Sequence, residues 1–235
     1  MTETSIPTAA SPHGRTMNVV LFGATGMVGQ GVLRECLLDD GVRSVLAVGR
    51  RATGEHHPKL REVVVPGVAD LSAVESQLVG LDACLFCLGM TSAGMSEAEY
   101  TRLTYDLTVS VARTLLRLNP EMTFVFVSGA GTDSSEKGRV MWARVKGKAE
   151  NAVLGMGFRE AYAVRPAAII PLHGITSRTK WIRIAVTVLR PVFPVMRALF
   201  PNHVTTTEQL GRAMLKIARE GYPRRIIESR DIRRM

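Results

Sequence analysis

The stretch LFGATGMVGQG, Leu21 to Gly31, decides the fold. It sets four glycines into nine residues, Gly23 to Gly31, directly behind the apolar run NVVL. A strand followed by glycines at this spacing and then by a helical pattern has a physical reading. Gly23 permits a tight turn. Gly26 lets a diphosphate approach the backbone with no Cβ in the way. Gly29 lets the new helix pack closely on the strand. The helix N-terminus then offers free N–H groups and positive dipole to the phosphates. The turn residues Gly23, Ala24, Thr25, Gly26, Met27, Val28 and Gly29 are therefore the expected contacts of a dinucleotide.

Working outward from this turn, short β-branched runs alternate with helical patterns. Strands are expected at MNVVLF, SVLAVG, REVVV, DACLFCL, TFVFVS and EAYAVR. Helices are expected near 27–38, 71–79, 97–118 and 141–155. Ser96 and Glu99 make a capping box for the third, and Asn119-Pro120 stops it. The strands are apolar on both faces, as in a parallel sheet covered by helices on each side. The expectation is an α/β fold, a doubly wound parallel Rossmann sheet with a small helical C-terminal cap. Its divisions are a flexible tail at 1–16, with Met17 an alternative start, the Rossmann domain at 17–171, and a basic cap at 172–235 packed on the same domain. Within the cap, WIRIAVTVLRPVFPVMRALF carries Arg183, Arg190 and Arg197 at seven-residue intervals and is broken by Pro191 and Pro194. TTTEQLGRAMLKIAREG then reads as a helix, with Thr205 and Glu208 as its capping box and Gly221 as its stop.

The second strand ends in VGRR. Enzymes that prefer NAD usually place an acid near this point for the ribose hydroxyls. Here stand Arg50 and Arg51, and the nearest acid is Glu55. Two guanidinium groups suit a 2′-phosphate through charge-assisted bonds, so NADP(H) is expected over NAD(H). Asp70, after the third strand, has two open readings: acceptor from the adenine amino group, or helix N-cap.

With GATGMVG, CLGMT after the fourth strand, VSGAG after the fifth, VKGKAE in the next helix and RPAAIIP after the sixth, residues 17–172 resemble the extended and atypical short-chain dehydrogenase/reductases. Within them the chain looks most like the branch related to the human Tat-interacting protein. The resemblance implies a nicotinamide at the C-terminal edges of strands four to six, with Leu88, Gly89, Lys146 and Arg165 among its contacts. It also implies a substrate cleft roofed by the C-terminal segment, and NADP-dependent oxidoreductase chemistry of the nucleoside-diphosphate-sugar epimerase or dehydratase kind. In that family the chemistry rests on Y-x-x-x-K with a nearby Ser or Thr: the lysine binds ribose and lowers the tyrosine pKa, and the phenol moves the proton. Lys146 matches the lysine, and Ser128 the serine, with Thr132 a second candidate. The tyrosine position holds Trp142, whose indole donates a hydrogen bond but is no general acid near neutral pH. Two readings stay open. The ring closes the cleft and no standard reduction occurs, which suits an NADP(H)-sensing regulatory or protein-interaction module. Alternatively, another group, such as a water held by Ser128 or a substrate group, supplies the proton for a small carbonyl or hydroxyl substrate.

Composition narrows the remaining classes. At 46% hydrophobic residues the chain can bury a sizeable core. Residues 172–235 hold 13 basic and 4 acidic side chains, while 1–171 hold 17 of each. The excess of +9 thus lies in the C-terminal quarter, where peripheral membrane contact is a weak reading. No nucleic-acid module accompanies it. Cys84 and Cys87 have CxxC spacing, but on a strand they face opposite sides, so neither metal nor disulfide is expected. His56-His57 reads as a surface pair; His173 and His203 flank the cap. Three cysteines favour a reducing compartment, read here as cytoplasmic.

Overall fold

A computed structural model describes residues 16–176 and 203–235. Residues 1–15 of the tail lie outside the described residues. So does 177–202, with its spaced arginines, Pro191 and Pro194. The chain runs β1 (Met17–Phe22), α1 (Met27–Leu38), β2 (Val42–Gly49), β3 (Leu60–Val64) and β4 (Ala83–Phe86). Next come α2 (Glu97–Thr101), a π-helical turn over Arg102–Asp106, and α3 (Leu107–Leu118). Then follow β5 (Thr123–Val127), α4 (Met141–Leu154), β6 (Glu160–Arg165) and β7 (Ala168–Ile170). After the undescribed segment come β8 (Val204–Thr206), α5 (Thr207–Glu220), β9 (Ile226–Glu228) and α6 (Ser229–Ile232). Residues 71–79, expected as a helix, form only a 3₁₀ segment over Ser72–Gln77 with no buried residue.

Seven strands make one sheet in the order β3-β2-β1-β4-β5-β6-β9, and every pairing is parallel. This is the Rossmann order extended by one strand. Side chains alternate between two cores. Val19 and Leu21 of β1, Leu85 of β4 and Val125 of β5 meet Val32 of α1 and Leu210, Met214 and Ile217 of α5. On the other face, Val20, Phe22, Phe86, Phe124 and Phe126 meet Val111 and Leu115 of α3 and Val153 of α4. Phe86 stands at the centre of that second face, its ring centroid 5.7 Å from Phe22 and 5.8 Å from Phe124. The same alternation puts Cys84 in the second core and Cys87 against the first, so CxxC is a packing pattern.

Residues 203–235 add more to the sheet than was expected. Instead of lying on it, β9 extends it and α5 fills the layer beside α1. The two helices approach through small residues. A Cβ on Gly31 would lie 2.5 Å from Thr207 Cβ, and one on Gly211 would lie 2.8 Å from Glu35 Cγ. The α5 capping box is Thr206 with Gln209, one residue later than expected. That shift frees Glu208 to accept from His173 Nε2 at 2.7 Å. The box at Ser96 and Glu99, the stop at Asn119 and the positive-φ stop at Gly221 are as expected.

Gly29 carries the turn's sharpest constraint, because a Cβ there would sit 2.0 Å from the Gly23 carbonyl oxygen. Glycine to alanine within a helix ordinarily gains about 1 kcal/mol. At Gly29 the gain is expected to reverse into a loss of about 1–3 kcal/mol, because backbone cannot move aside as a side chain would. Urea denaturation of Gly29→Ala measures the sign.

Candidate active site

The glycine turn forms because β1 must end against β4. Gly23 has φ +83, and a Cβ on it would lie 2.7 Å from the Cys87 carbonyl group. The Gly26 N–H closes the turn on the Gly23 carbonyl at 2.9 Å. Gly26 differs from its neighbours: its φ is an ordinary −81, and its Cβ would meet only the Gly23 oxygen, at 3.3 Å. Internal packing demands much less of Gly26 than of Gly23 or Gly29. Space kept clear at a helix N-terminus suits a phosphate group. The N-cap of α1 is Gly26, which has no side chain to cap the helix, and the first turn holds no acid, so its leading N–H groups are left for another acceptor.

A groove of about 400 Å³ runs from this turn. Gly23, Ala24 and Thr25 line one end, Gly49, Arg50 and Arg51 the end of β2, and Val68 and Leu88 the opposite wall. Parallel strands bring these loops together at their C-terminal edge, the usual ligand crevice of such sheets. Among the described residues neither Arg50 nor Arg51 forms an ion pair, and both are exposed. Thr53 and Val68 also line the groove and were not foreseen; single loop residues carry no periodic signal. Asp70 accepts from the Ser72 N–H at 3.0 Å, and this bond holds its carboxyl below the usual range. It is not among the groove's lining residues, and the N-cap of the 3₁₀ segment is Leu71, so Asp70 makes a local turn bond beside that cap. Gly89 is exposed beyond Leu88. A second groove, of about 580 Å³, shares Ala24, Thr25 and Thr53 and continues past Arg34, His57 and His173.

The fifth strand ends at Val127, and the N–H of the next residue, Ser128, still pairs with the Val164 carbonyl at 2.8 Å. Helix α4 lies directly on the loop that follows. A Cβ on Gly147 would fall 1.8 Å from the Asp133 carbonyl oxygen, which explains the glycine in VKGKAE. This approach carries Lys146 Nζ to within 2.8 Å of the Ser128 carbonyl oxygen. Burial lowers the Lys146 pKa, against the opposing pull of the Glu150 charge. Ser128 Oγ and Thr132 Oγ1 are 2.8 Å apart. Thr132 donates its own proton to the Gly129 carbonyl at 2.7 Å. The Ser128 hydroxyl must therefore donate to Thr132, and its lone pairs are what it offers elsewhere. Trp142 is half-buried, with its ring edge 3.4 Å from where a Gly131 Cβ would stand. The structure thus brings Ser128, Thr132, Trp142 and Lys146 together around one loop.

Arg165 is corrected from cofactor contact to structural anchor. Its Nε donates to one Glu150 oxygen at 2.9 Å and its Nη2 to the other at 2.5 Å. It also donates to Ser134 Oγ at 2.5 Å and to Glu228 at 3.3 Å. Glu150 has no solvent exposure, so the guanidinium is committed to neutralising it. Among the described residues no group of three metal-ligating side chains occurs, and no helix is long and apolar enough to cross a membrane.

No family model matches the chain. The protein named FMP52, mitochondrial, of Chaetomium globosum is 30% identical over 159 residues, covering 65% of this chain and 66% of that protein. The chain thus spans just under two thirds of that relative's length. Relatives from Aspergillus terreus, Emericella nidulans and Candida albicans are likewise named mitochondrial. These names overturn the cytoplasmic placement read from the sequence, which rested on cysteine count alone. Among solved structures, the UDP-N-acetylglucosamine 4-epimerase of Methanobrevibacter ruminantium, in complex with UDP-N-acetylmuramic acid, superposes with a TM-score of 0.67 at 12% identity. It covers 91% of this chain and 76% of that one. The Bordetella bronchiseptica enzyme WbmF in complex with NAD+ gives 0.66 at 14%, covering 94% and 77%. At these identities the likeness shows the fold, the Rossmann fold on which that enzyme holds NAD+.

Arg165→Ala should cost about 3–5 kcal/mol, because it strands a buried carboxylate. Replacing the pair together, by Arg165→Met with Glu150→Leu, should recover most of that loss. Denaturation of both variants tests this. Unchanged dinucleotide affinity in the folded double variant separates the anchoring role from cofactor contact.

Proposed function

We propose that the chain binds NADP(H) in the groove at the glycine turn. On this reading it acts as an oxidoreductase of the atypical short-chain class, in the branch related to the Tat-interacting protein, on a small carbonyl or hydroxyl substrate. One observation carries the proposal: the glycine turn that leads into α1, through Gly23, Ala24 and Thr25, lines the same groove as Arg50 and Arg51, and Gly26 brings no capping side chain to the helix that follows. The first suits a diphosphate and the second a 2′-phosphate. The bound NAD+ of WbmF on the same fold supports a nicotinamide cofactor. The preference for the phosphorylated form rests on the two arginines of this chain. A bound nicotinamide supplies hydride; Lys146 would hold its ribose, and Ser128 would orient the substrate oxygen.

A second reading is favoured by Trp142. With no phenol beside Lys146, cofactor binding without standard turnover suits an NADP(H)-sensing interaction module. Trp142→Tyr distinguishes the two. A positioned general acid contributes about 10²–10⁴-fold in rate. The variant should therefore raise NADPH oxidation across a carbonyl panel if only the proton carrier limits the reaction. Absence of turnover in both forms, with tight NADPH binding, favours the sensing module.

Calorimetric titration should show NADPH binding more tightly than NADH. Removing Arg50 and Arg51 together should weaken NADPH by roughly 10–100-fold for each charge-assisted hydrogen bond that disappears. Equal affinity for both cofactors in the unaltered protein would overturn the preference. Gly26→Val should remove binding while circular dichroism stays that of the folded sheet, since its Cβ would occupy the phosphate position.

A further inference from the structure

We propose that Lys146 is itself the proton carrier of this site, delivering a proton from Nζ to the substrate oxygen in place of the missing phenol. The inference rests on the oxidoreductase reading above and names the group that reading lacks.

Among the described residues, few groups around the loop after β5 can give up a proton. Trp142 does not ionise as an acid in the working range. The Ser128 proton is committed to Thr132, and the Thr132 proton to the Gly129 carbonyl. That chain ends on a backbone oxygen, which cannot pass a proton on. Ser128 is left as an acceptor, able to hold a substrate hydroxyl. Lys146 Nζ stands against the same backbone, 2.8 Å from the Ser128 oxygen and 3.9 Å from where a Gly129 Cβ would lie. One of its three protons serves the Ser128 carbonyl; two are left for ligand.

The surroundings of the amine fit it for losing a proton. Among the described residues Glu150, one turn further along α4, is the charge that reaches it, and both Glu150 oxygens are taken by Arg165. Several charged groups of the neighbouring elements are engaged elsewhere. Glu97 of α2 pairs with Arg144, Glu99 closes its own capping box, and Glu228 of β9 meets Arg165. On β6, Glu160 accepts from Tyr162. Tyr100 of α2 is buried, and burial raises its pKa. A half-buried ammonium bonded to a neutral carbonyl, its neighbouring carboxylate already held by Arg165, sits closer to its neutral form than a surface lysine. Enzymes use lysines desolvated in this way as acid–base groups.

The step balances. Reduction of a carbonyl adds hydride to carbon, two electrons and one hydrogen drawn from the reduced nicotinamide. The oxygen takes one proton from the Lys146 ammonium, and the N–H bond breaks to leave the neutral amine. Solvent then reprotonates the amine. In the reverse direction the amine accepts the hydroxyl proton.

Competitive labelling of the full chain with acetic anhydride, read by mass spectrometry from pH 6 to 11 without cofactor, gives the titration midpoint of each lysine independently of turnover. Lys137 and Lys216, both exposed, are the internal references. The expected result is a Lys146 midpoint about one unit or more below theirs, a tenfold larger free-amine fraction at the same pH. A midpoint coinciding with theirs overturns the inference. Lys146→Arg keeps the cation but cannot release its proton. In this variant, at saturating NADPH, reduction of any carbonyl the unaltered protein turns over should fall by about 10²–10⁴-fold. Undiminished turnover in this variant also overturns it. Failure of the unaltered protein to bind NADPH overturns the function proposed above and leaves the labelling midpoint as measured, so the two failures are told apart.

Discussion

Backbone laid directly on backbone, where no Cβ fits, is the constraint on which both ends of the site depend. At Gly29 the first helix rests on the Gly23 carbonyl; at Gly147 the helix after β5 rests on the Asp133 carbonyl. The first contact fixes where the N–H groups of α1 point, and therefore where an anion can sit. The second fixes the height of α4 over the loop 129–134, and therefore the reach of Lys146 to Ser128. Neither contact tolerates a methyl group, so both geometries are set by the absence of atoms. Side chains then add chemistry to a frame already placed.

The frame around Lys146 is completed by a charge pair that faces away from the ligand. Glu150 is buried on α4 and Arg165 on β6, and their fork ties the helix to the sheet. Such a pair contributes little net stability, because desolvating two charges offsets most of their attraction. Its consequence here is specific. It holds α4 to the end of β6 and occupies the carboxylate nearest Lys146. An anchored carboxylate leaves the lysine, among the described residues, bonded to the neutral Ser128 carbonyl and in no ion pair, although Lys146 and Glu150 lie one helical turn apart.

Much of this was legible in the sequence. Glycine spacing placed α1 at 27–38, and the apolar runs placed six strands of the main sheet. The elements that escaped are the shortest. VTT at 204–206 and IIE at 226–228 give three residues each, too few for a period-two pattern to show. Three consecutive threonines, Thr205 to Thr207, left the start of α5 ambiguous by one residue; tertiary contacts chose Thr206. The arginines of the groove were readable because they follow a strand end. Arg165 follows one as well, yet nothing in the local sequence shows Glu150 across the helix–sheet interface. Hydrogen-bond direction is harder still. That Ser128 donates inward, and so presents lone pairs, follows only from the Gly129 carbonyl taking the Thr132 proton.

The C-terminal residues bind the glycine turn into the rest of the molecule. Helix α5 packs along α1 through Gly31 and Gly211, while Arg212 and Arg34 both pair with the buried Glu35. Glu208, freed from capping, bridges Arg212 and His173, and His173 itself holds a positive φ in the loop after β7. A chain of charged contacts thus runs from the loop at 173 across α5 to the middle of α1. The N-terminus of α1 is the candidate phosphate site, and Gln30, one turn along, donates to the Thr25 carbonyl inside the turn and to the Thr176 carbonyl. Through this one side chain the glycine turn and the stretch that follows β7 hold each other in register. The segment that leads away from the sheet is therefore anchored at the same helix end that would meet the cofactor.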